Sequence, residues 1–139
     1  MSSKIKDLVD NFIYEPDKKT DTWNVLEKNK DGKYVGDCED FALTYHYLMC
    51  NQNWILFWLH FFIMYSGVLY VEDKRGEGHV FLRKGFKFID NNYKTWISLK
   101  EIKERGDFKF TINSFLWTIL SPIIIPLKMI STKIRRKFK

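Results

Sequence analysis

The feature that most constrains the fold is the longest stretch without a charged side chain, residues 41–71. It contains no Asp, Glu, Lys or Arg. An Asn-Gln-Asn break at 51–53 divides it into a helix predicted over 38–50 and an apolar segment over 54–65. As a helix the second segment is about 18 Å long, too short to cross a bilayer. We therefore expect a buried or membrane-surface helix there.

The rest of the chain predicts an α+β domain. Apolar residues at helical spacing and a capping box predict further helices over 4–13, 23–28 and 98–105. Runs of β-branched and aromatic residues, bounded by glycine and charged turns, predict strands over 67–71, 79–82, 85–90 and 93–96.

The net charge of +6 belongs to the C-terminal end. Residues 128–139 carry six Lys or Arg and no acid, whereas the rest of the chain carries 17 basic and 17 acidic residues. Residues 110–127 are uncharged, and Pro122 and Pro126 are expected to interrupt any helix there. We predict a domain over 1–107 and, over 108–139, an apolar then basic segment that lies on an anionic inner membrane. The alternative is a segment that covers the domain and ends in a solvated basic terminus.

Composition excludes several other classes. Two cysteines are too few for a disulfide scaffold and indicate a reduced, cytoplasmic setting. No CxxC motif or His/Cys cluster indicates a metal, and no cofactor is predicted. The first twenty residues are polar and predict no secretory signal. A neutral domain without a recognised nucleic-acid fold disfavours nucleic acid as a partner.

The sequence GDCED, residues 36–40, places a cysteine at a helix start. Asp37 is a natural N-cap, and Asp40 can complete a capping box. Cys38 is then the first helical residue, where the dipole and free N–H groups stabilise a thiolate and a developing oxyanion. The neighbouring acids oppose a thiolate, so a cationic partner is required. The alternative is a buried, unreactive cysteine, which is our interpretation of Cys50.

His79 is the histidine best placed to be that partner. His46 and His60 lie in apolar helical runs and are interpreted as core or amphipathic-face residues. With a two-residue turn at 84–85, His79 lies directly opposite Asp90 on one face of a hairpin. The carboxylate would hold one imidazole nitrogen while the other faces a thiol. An ordinary ion pair at a strand end is the alternative.

The segments GDCEDFAL, GHVFL and IDN together resemble bacterial transglutaminase-like cysteine peptidases of the papain-like and transglutaminase-like superfamily, especially small phage or prophage members. The resemblance covers residues 36–96. It implies a papain-like core, in which a cysteine-bearing helix packs on a small antiparallel sheet, with 54–65 as an apolar insertion and a C-terminal segment added. It implies Cys38 as nucleophile, His79 as general base and then acid, and Asp90 as the orienting carboxylate.

The function implied is hydrolysis of a protein, isopeptide or peptidoglycan amide through a thioester, in the host cytoplasm if the chain is phage-encoded. Two alternatives stay open. One is a transglutaminase, in which an amine replaces water; the other is a non-catalytic, membrane-associated phage interaction protein that retains the fold. The resemblance also raises calcium binding at Asp37 and Asp40, although few further acids lie nearby.

Overall fold

A computed structural model describes residues 2–16 and 22–137, without the side chains of 136 and 137. The described residues form an α+β fold, as predicted. Its helices are α1 Ser3–Asn11, α2 Cys38–Met49, α3 Trp54–Phe62, α4 Leu99–Arg105 and α5 Ile112–Lys137. Its strands are β1 Phe12–Tyr14, β2 Tyr34–Gly36, β3 Ser66–Asp73, β4 Gly78–Lys84, β5 Lys87–Ile89, β6 Ile97–Ser98 and β7 Phe108–Lys109.

The strands form two sheets. β1 and β2 pair in parallel, and the other five form an antiparallel sheet in the order β6-β5-β4-β3-β7. α2 packs on β4 and α5 on β3. Because side chains alternate along a strand, β4 separates two apolar clusters. Val80 and Leu82 join the larger cluster with α2, whereas Phe81 joins a smaller cluster with Ile102 of α4.

The helix predicted over 23–28 is wrong, because this segment has no regular secondary structure and bonds to side chains of α2. The main-chain N–H of Asn24 donates to Oδ1 of Asp40 at 2.9 Å, and that of Leu26 donates to Oγ1 of Thr44 at 2.8 Å. Side chains of α2 thus accept main-chain N–H groups of this segment, and these tertiary contacts override the local preference.

The β4–β5 hairpin differs from its predicted register by two residues. Gly85 and Phe86, rather than residues 84–85, form the turn, and Leu82 pairs with Ile89. Gly85 has a φ of +60°, which suits the first position of a two-residue turn. Because side chains alternate with a period of two, a displacement of two residues keeps each one on its predicted face.

α5 continues through Pro122 and Pro126, so the predicted interruption is wrong. Each proline removes one helical donor, but side chains beside Pro122 attach the helix to the edge of β3. Oγ of Ser121 accepts the N–H of Val68 at 3.0 Å, and Oγ1 of Thr118 donates to the carbonyl of Val68 at 2.9 Å. These bonds also cover a strand edge that would otherwise be open. Packing on β3 therefore offsets what the prolines remove.

Candidate active site

Cys38 is the first residue of α2, as predicted. Oδ1 of Asp37 accepts the N–H of Asp40 at 3.3 Å, and Oδ2 of Asp40 accepts the N–H of Asp37 at 3.3 Å. This is the predicted reciprocal capping box. Gly36 lies against it, since a β-carbon there would lie 2.7 Å from Oδ2 of Asp40. The local sequence thus determines where the helix begins and where Cys38 lies.

The acids at this helix start do not fit a calcium site. Calcium takes six to eight oxygen ligands, and both oxygens of Asp40 already accept main-chain N–H groups, from Asn24 and Asp37. Within 2–16 and 22–137, no three His, Cys, Asp or Glu side chains are arranged to hold a metal ion. The carboxylates of Asp37 and Asp40 therefore have a structural role here.

The thiol of Cys38 is buried, with 6% of the residue exposed. Sγ lies 3.5 Å from Oε2 of Glu39, to which it can donate, and the main chain of Val80 also bonds to it. Burial raises the pKa of the Cys38 thiol well above its usual value, and the charges of Glu39 and Asp37 raise it further. The protonated thiol is therefore the resting form, because burial and the acids outweigh the helix dipole and the Val80 bond.

His79 and Asp90 are in contact. Nε2 of His79 lies 2.7 Å from Oδ2 of Asp90, which is fully buried. The predicted contact is present, although the two residues are diagonal neighbours rather than a directly opposed pair. Oδ1 of Asp90 accepts the N–H of Tyr93 at 2.8 Å, and a turn replaces the strand predicted over 93–96. The carboxylate thus holds the imidazole by one nitrogen and leaves Nδ1 for a second partner.

Cys38 and His79 lie on different sides of β4. Cys38 belongs to the cluster that contains Val80, whereas the ring of His79 stacks on Phe108 at 5.0 Å. In the part of the chain that the structure describes, no hydrogen bond joins the thiol to this imidazole. The structure therefore brings His79 and Asp90 into contact, whereas Cys38 bonds to the main chain of Val80, the residue after His79.

Tyr14 connects the two parts of the predicted site. It lines the cavity beside His79. Burial raises the pKa of its phenol, and the charges of Cys38, Asp37 and Glu39 raise it further, so it also lies near the start of α2. The sequence analysis missed Tyr14, because no sequence pattern indicates that β1 is placed beside α2.

The cavity beside His79 has a volume of about 410 Å³ and is acidic. Its lining includes one guanidinium, Arg75, and three carboxylates, those of Asp73, Glu77 and Asp107. Among the described residues, larger cavities of about 480, 550 and 580 Å³ contain none of the three predicted catalytic residues. We identify the candidate site by its chemistry and not by its size, since a large cavity without reactive groups indicates binding at most.

A second sulfur and imidazole group lies at the other end of α2, and the sequence analysis did not predict it. Sγ of Cys50 is 3.5 Å from Nδ1 of His60 and 3.9 Å from Nε2 of His46. His46 is fully buried, and its Nε2 lies 3.0 Å from the carbonyl of Phe57. Burial lowers the pKa of His46 to about 4, so this ring is neutral at ordinary pH.

Comparison with known proteins identifies no relative. No family model matches the chain, and neither a curated protein nor a solved structure matches it significantly.

Proposed function

We propose that this chain is a cysteine-dependent hydrolase that cleaves an amide bond with Cys38, His79 and Asp90 on a papain-like core. The proposal rests on the 2.7 Å contact between His79 and the fully buried carboxylate of Asp90. His79 lies on β4, the strand against which α2 packs. A buried carboxylate that holds one nitrogen of an imidazole supports its use as a general base. The capping box places a cysteine at the adjoining helix start.

In the proposed reaction, Sγ of Cys38 leaves Glu39 and comes within reach of Nδ1 of His79. This step takes a movement of the start of α2 relative to β4 as well as a new rotamer, because the two side chains lie on different sides of β4. His79 accepts the thiol proton as Sγ attacks the carbonyl carbon, and Asp90 stabilises the imidazolium. N–H groups of the first turn of α2 stabilise the oxyanion. The imidazolium then gives its proton to the leaving nitrogen, the C–N bond breaks and a thioester forms. Water, deprotonated by His79, releases the carboxylic acid and restores the thiol.

The charges around His79 favour a substrate with a basic group near the scissile bond. Asp73, Glu77 and Asp107 outnumber Arg75 in the cavity lining. Opposite charge raises the local concentration of a cationic substrate and improves its binding. Among protein, isopeptide and peptidoglycan amides, we infer one that carries a free amine or a lysine next to the bond that is cleaved.

The test uses peptidyl vinyl sulfone probes and peptide aminomethylcoumarin amides, with Lys or Glu beside the reacting group. We expect labelling at Cys38 and faster hydrolysis of the Lys series. His79→Ala should lower kcat/KM by about 10²–10⁴-fold, as for loss of a general base. His60→Ala is the matched control and should retain activity within about twofold. Absence of labelling at Cys38, or equal rates for His79→Ala and the wild type, would contradict the proposal.

A non-catalytic role is the second candidate, and the state of the thiol favours it. Cys38 is 6% exposed, and its Sγ lies 3.5 Å from the carboxylate of Glu39. In that case Cys38→Ala would fold and keep the protein's cellular effect, and the probes would label neither cysteine. A dansylated amine added to the hydrolysis assay separates the transglutaminase alternative, since only that activity would join the amine to the peptide.

A further inference from the structure

α5 buries a mixed polar and apolar side and directs a row of aliphatic side chains outward, whereas the outer side of a helix on a water-exposed surface is polar. The side chains that it buries against the domain are Ile125 and Met129 together with the hydroxyls of Ser114, Ser121 and Thr132. Eight aliphatic side chains on its outward side are between 39 and 81% exposed: Ile112, Leu116, Ile119, Leu120, Ile123, Leu127, Ile130 and Ile134. This arrangement indicates a nonaqueous partner on the outer side.

Hydrogen bonds hold α5 in this orientation. Thr118 and Ser121 bond to the carbonyl and the N–H of Val68. Further along the helix, Oγ1 of Thr132 accepts the N–H of Trp23 at 2.8 Å. Rotation of the helix to bury its aliphatic side would leave these buried main-chain groups unsatisfied, which is costly. The outward apolar side is therefore a stable feature of the folded domain.

α3 extends the apolar surface. It packs beside α5, and Ile55, Phe62 and the following Ile63 are between 59 and 78% exposed. α3 has no charged residue, and after Asp107 the sequence contains basic residues but no acidic one. An exposed apolar surface of this extent on a folded domain marks an interaction site. The charged side chains of the chain after Asp107, which includes α5, are all positive.

We propose that α3 and the outward side of α5 bind the surface of an anionic lipid bilayer. The aliphatic side chains enter the interfacial layer, while Lys133 and Arg135 near the end of α5 approach lipid phosphates. Charge complementarity favours lipid over a second copy of this chain, because a second copy would present the same surface without acids to pair with these bases. The inference does not depend on the proposed hydrolysis.

The bilayer contact runs along α5. The stretch Ile112–Arg135 is long and apolar enough to cross a membrane on length and composition alone, and 22% of its most apolar part is buried. The bonds to Val68 and Trp23 hold the helix along the side of the domain. A crossing helix would have to break them, so we infer that α5 lies in the plane of the interface.

The test is sedimentation of the full chain with vesicles of phosphatidylcholine containing about 30 mol % phosphatidylglycerol, and with pure phosphatidylcholine. We expect binding to the anionic vesicles that about 0.5 M salt weakens. Ile119→Glu/Ile123→Glu should lower the partition coefficient at least tenfold, and Lys133→Glu/Arg135→Glu about tenfold. Ile13→Glu, at an exposed apolar position of the two-stranded sheet, is the matched control and should bind as the wild type does.

Quenching of the wild-type tryptophan fluorescence by brominated lipids gives a measurement that needs no variant, since Trp54 of α3 is partly exposed. Quenching in anionic vesicles supports the proposal. The absence of partitioning, or salt-independent partitioning into both vesicle types, would overturn it. Resistance to alkaline carbonate extraction would overturn it too, because it indicates a spanning helix. A fourth contradicting result is a dimer that Ile119→Glu/Ile123→Glu dissociates, in a protein that does not bind vesicles.

Discussion

A cysteine lies at each end of α2, Cys38 as its first residue and Cys50 directly after its last, and the two sulfurs differ in what surrounds them. At the C-terminal end, Cys50 lies 3.5 Å from His60, yet no carboxylate bonds to that ring among the described residues. At the N-terminal end, Cys38 has no imidazole bonded to it, but the nearby His79 is held by Asp90.

The dipole of α2 separates the two ends further. A helix N-terminus stabilises a negative charge and a C-terminus destabilises it. An oxyanion can therefore be held beside Cys38 but not beside Cys50. The two sulfurs therefore differ in the electrostatics of the helix end beside them as well as in the nearest imidazole.

Replacing each cysteine should give the largest difference between the two ends. Cys38→Ala should abolish probe labelling and lower amide hydrolysis at least about 10³-fold, because the nucleophile is lost. Cys50→Ala should keep the probe labelling and the rate of amide hydrolysis within about twofold of the wild type. Intact mass spectrometry measures the labelling, and initial rates measure the hydrolysis. Labelling that persists in Cys38→Ala and is lost in Cys50→Ala would contradict the proposed role of Cys38.

The buried imidazole at the C-terminal end should make stability depend on pH. The pKa of His46 is lowered from 6.5 to about 4, so the unfolded chain binds a proton more readily than the folded one. The stabilisation that comes from the neutral His46 is then fully present above pH 6.5. It is lost as the pH falls towards 4, which lowers the free energy of unfolding by up to about 3 kcal/mol. Urea unfolding of the wild type across this range measures the loss. His46→Gln should flatten that pH dependence and His60→Gln should not; a steep fall that persists in His46→Gln would contradict the assignment.

The N-terminal end should be sensitive to the smallest added volume. Gly36→Ala places a β-carbon 2.7 Å from Oδ2 of Asp40 and 3.0 Å from Cδ1 of Leu26. We expect a loss of about 1–3 kcal/mol in the free energy of unfolding, as for overpacking elsewhere. Asp37→Asn, which keeps a side-chain acceptor at the N-cap, should cost much less. Equal losses for the two variants would show that the packing at Gly36 is not tight.

The smallest effect is expected from the charge beside Cys38. Glu39→Gln removes the carboxylate that accepts from the thiol and, after burial, contributes most to its raised pKa. The pKa of Cys38 should fall, and its alkylation by iodoacetamide should shift to lower pH, while alkylation of Cys50 stays unchanged. An unchanged Cys38 profile would mean that burial and Asp37, without Glu39, raise this pKa.

Local sequence predicted those parts of the fold that depend on neighbours in the chain. The α2 capping box depends on the positions of Asp37 and Asp40, three residues apart, and it forms as predicted. The face shared by His79 and Asp90 follows from the alternation along strands, so it survived the error in register. Gly85 could have been assigned to the first turn position, because two-residue turns favour a glycine with positive φ there.

Other features depended on residues distant in the chain, and sequence alone did not predict them. The contact of Cys50 with His60 requires α3 to fold back on α2, and the position of Tyr14 requires β1 to reach the start of α2. The irregular path of 22–28 depends on acceptors that α2 supplies. Each is a long-range contact, whose formation depends on the packing of whole elements.

By itself, the sequence determined where α2 begins, which side of the hairpin carries His79 and Asp90, and that the charge after Asp107 is wholly positive, because these follow from spacing and composition. Only the tertiary structure decided that burial keeps the thiol of Cys38 protonated, that α5 runs unbroken through its prolines, and that its aliphatic side faces outward. Desolvation and the hydrogen bonds of Val68 arise only when separate elements pack together.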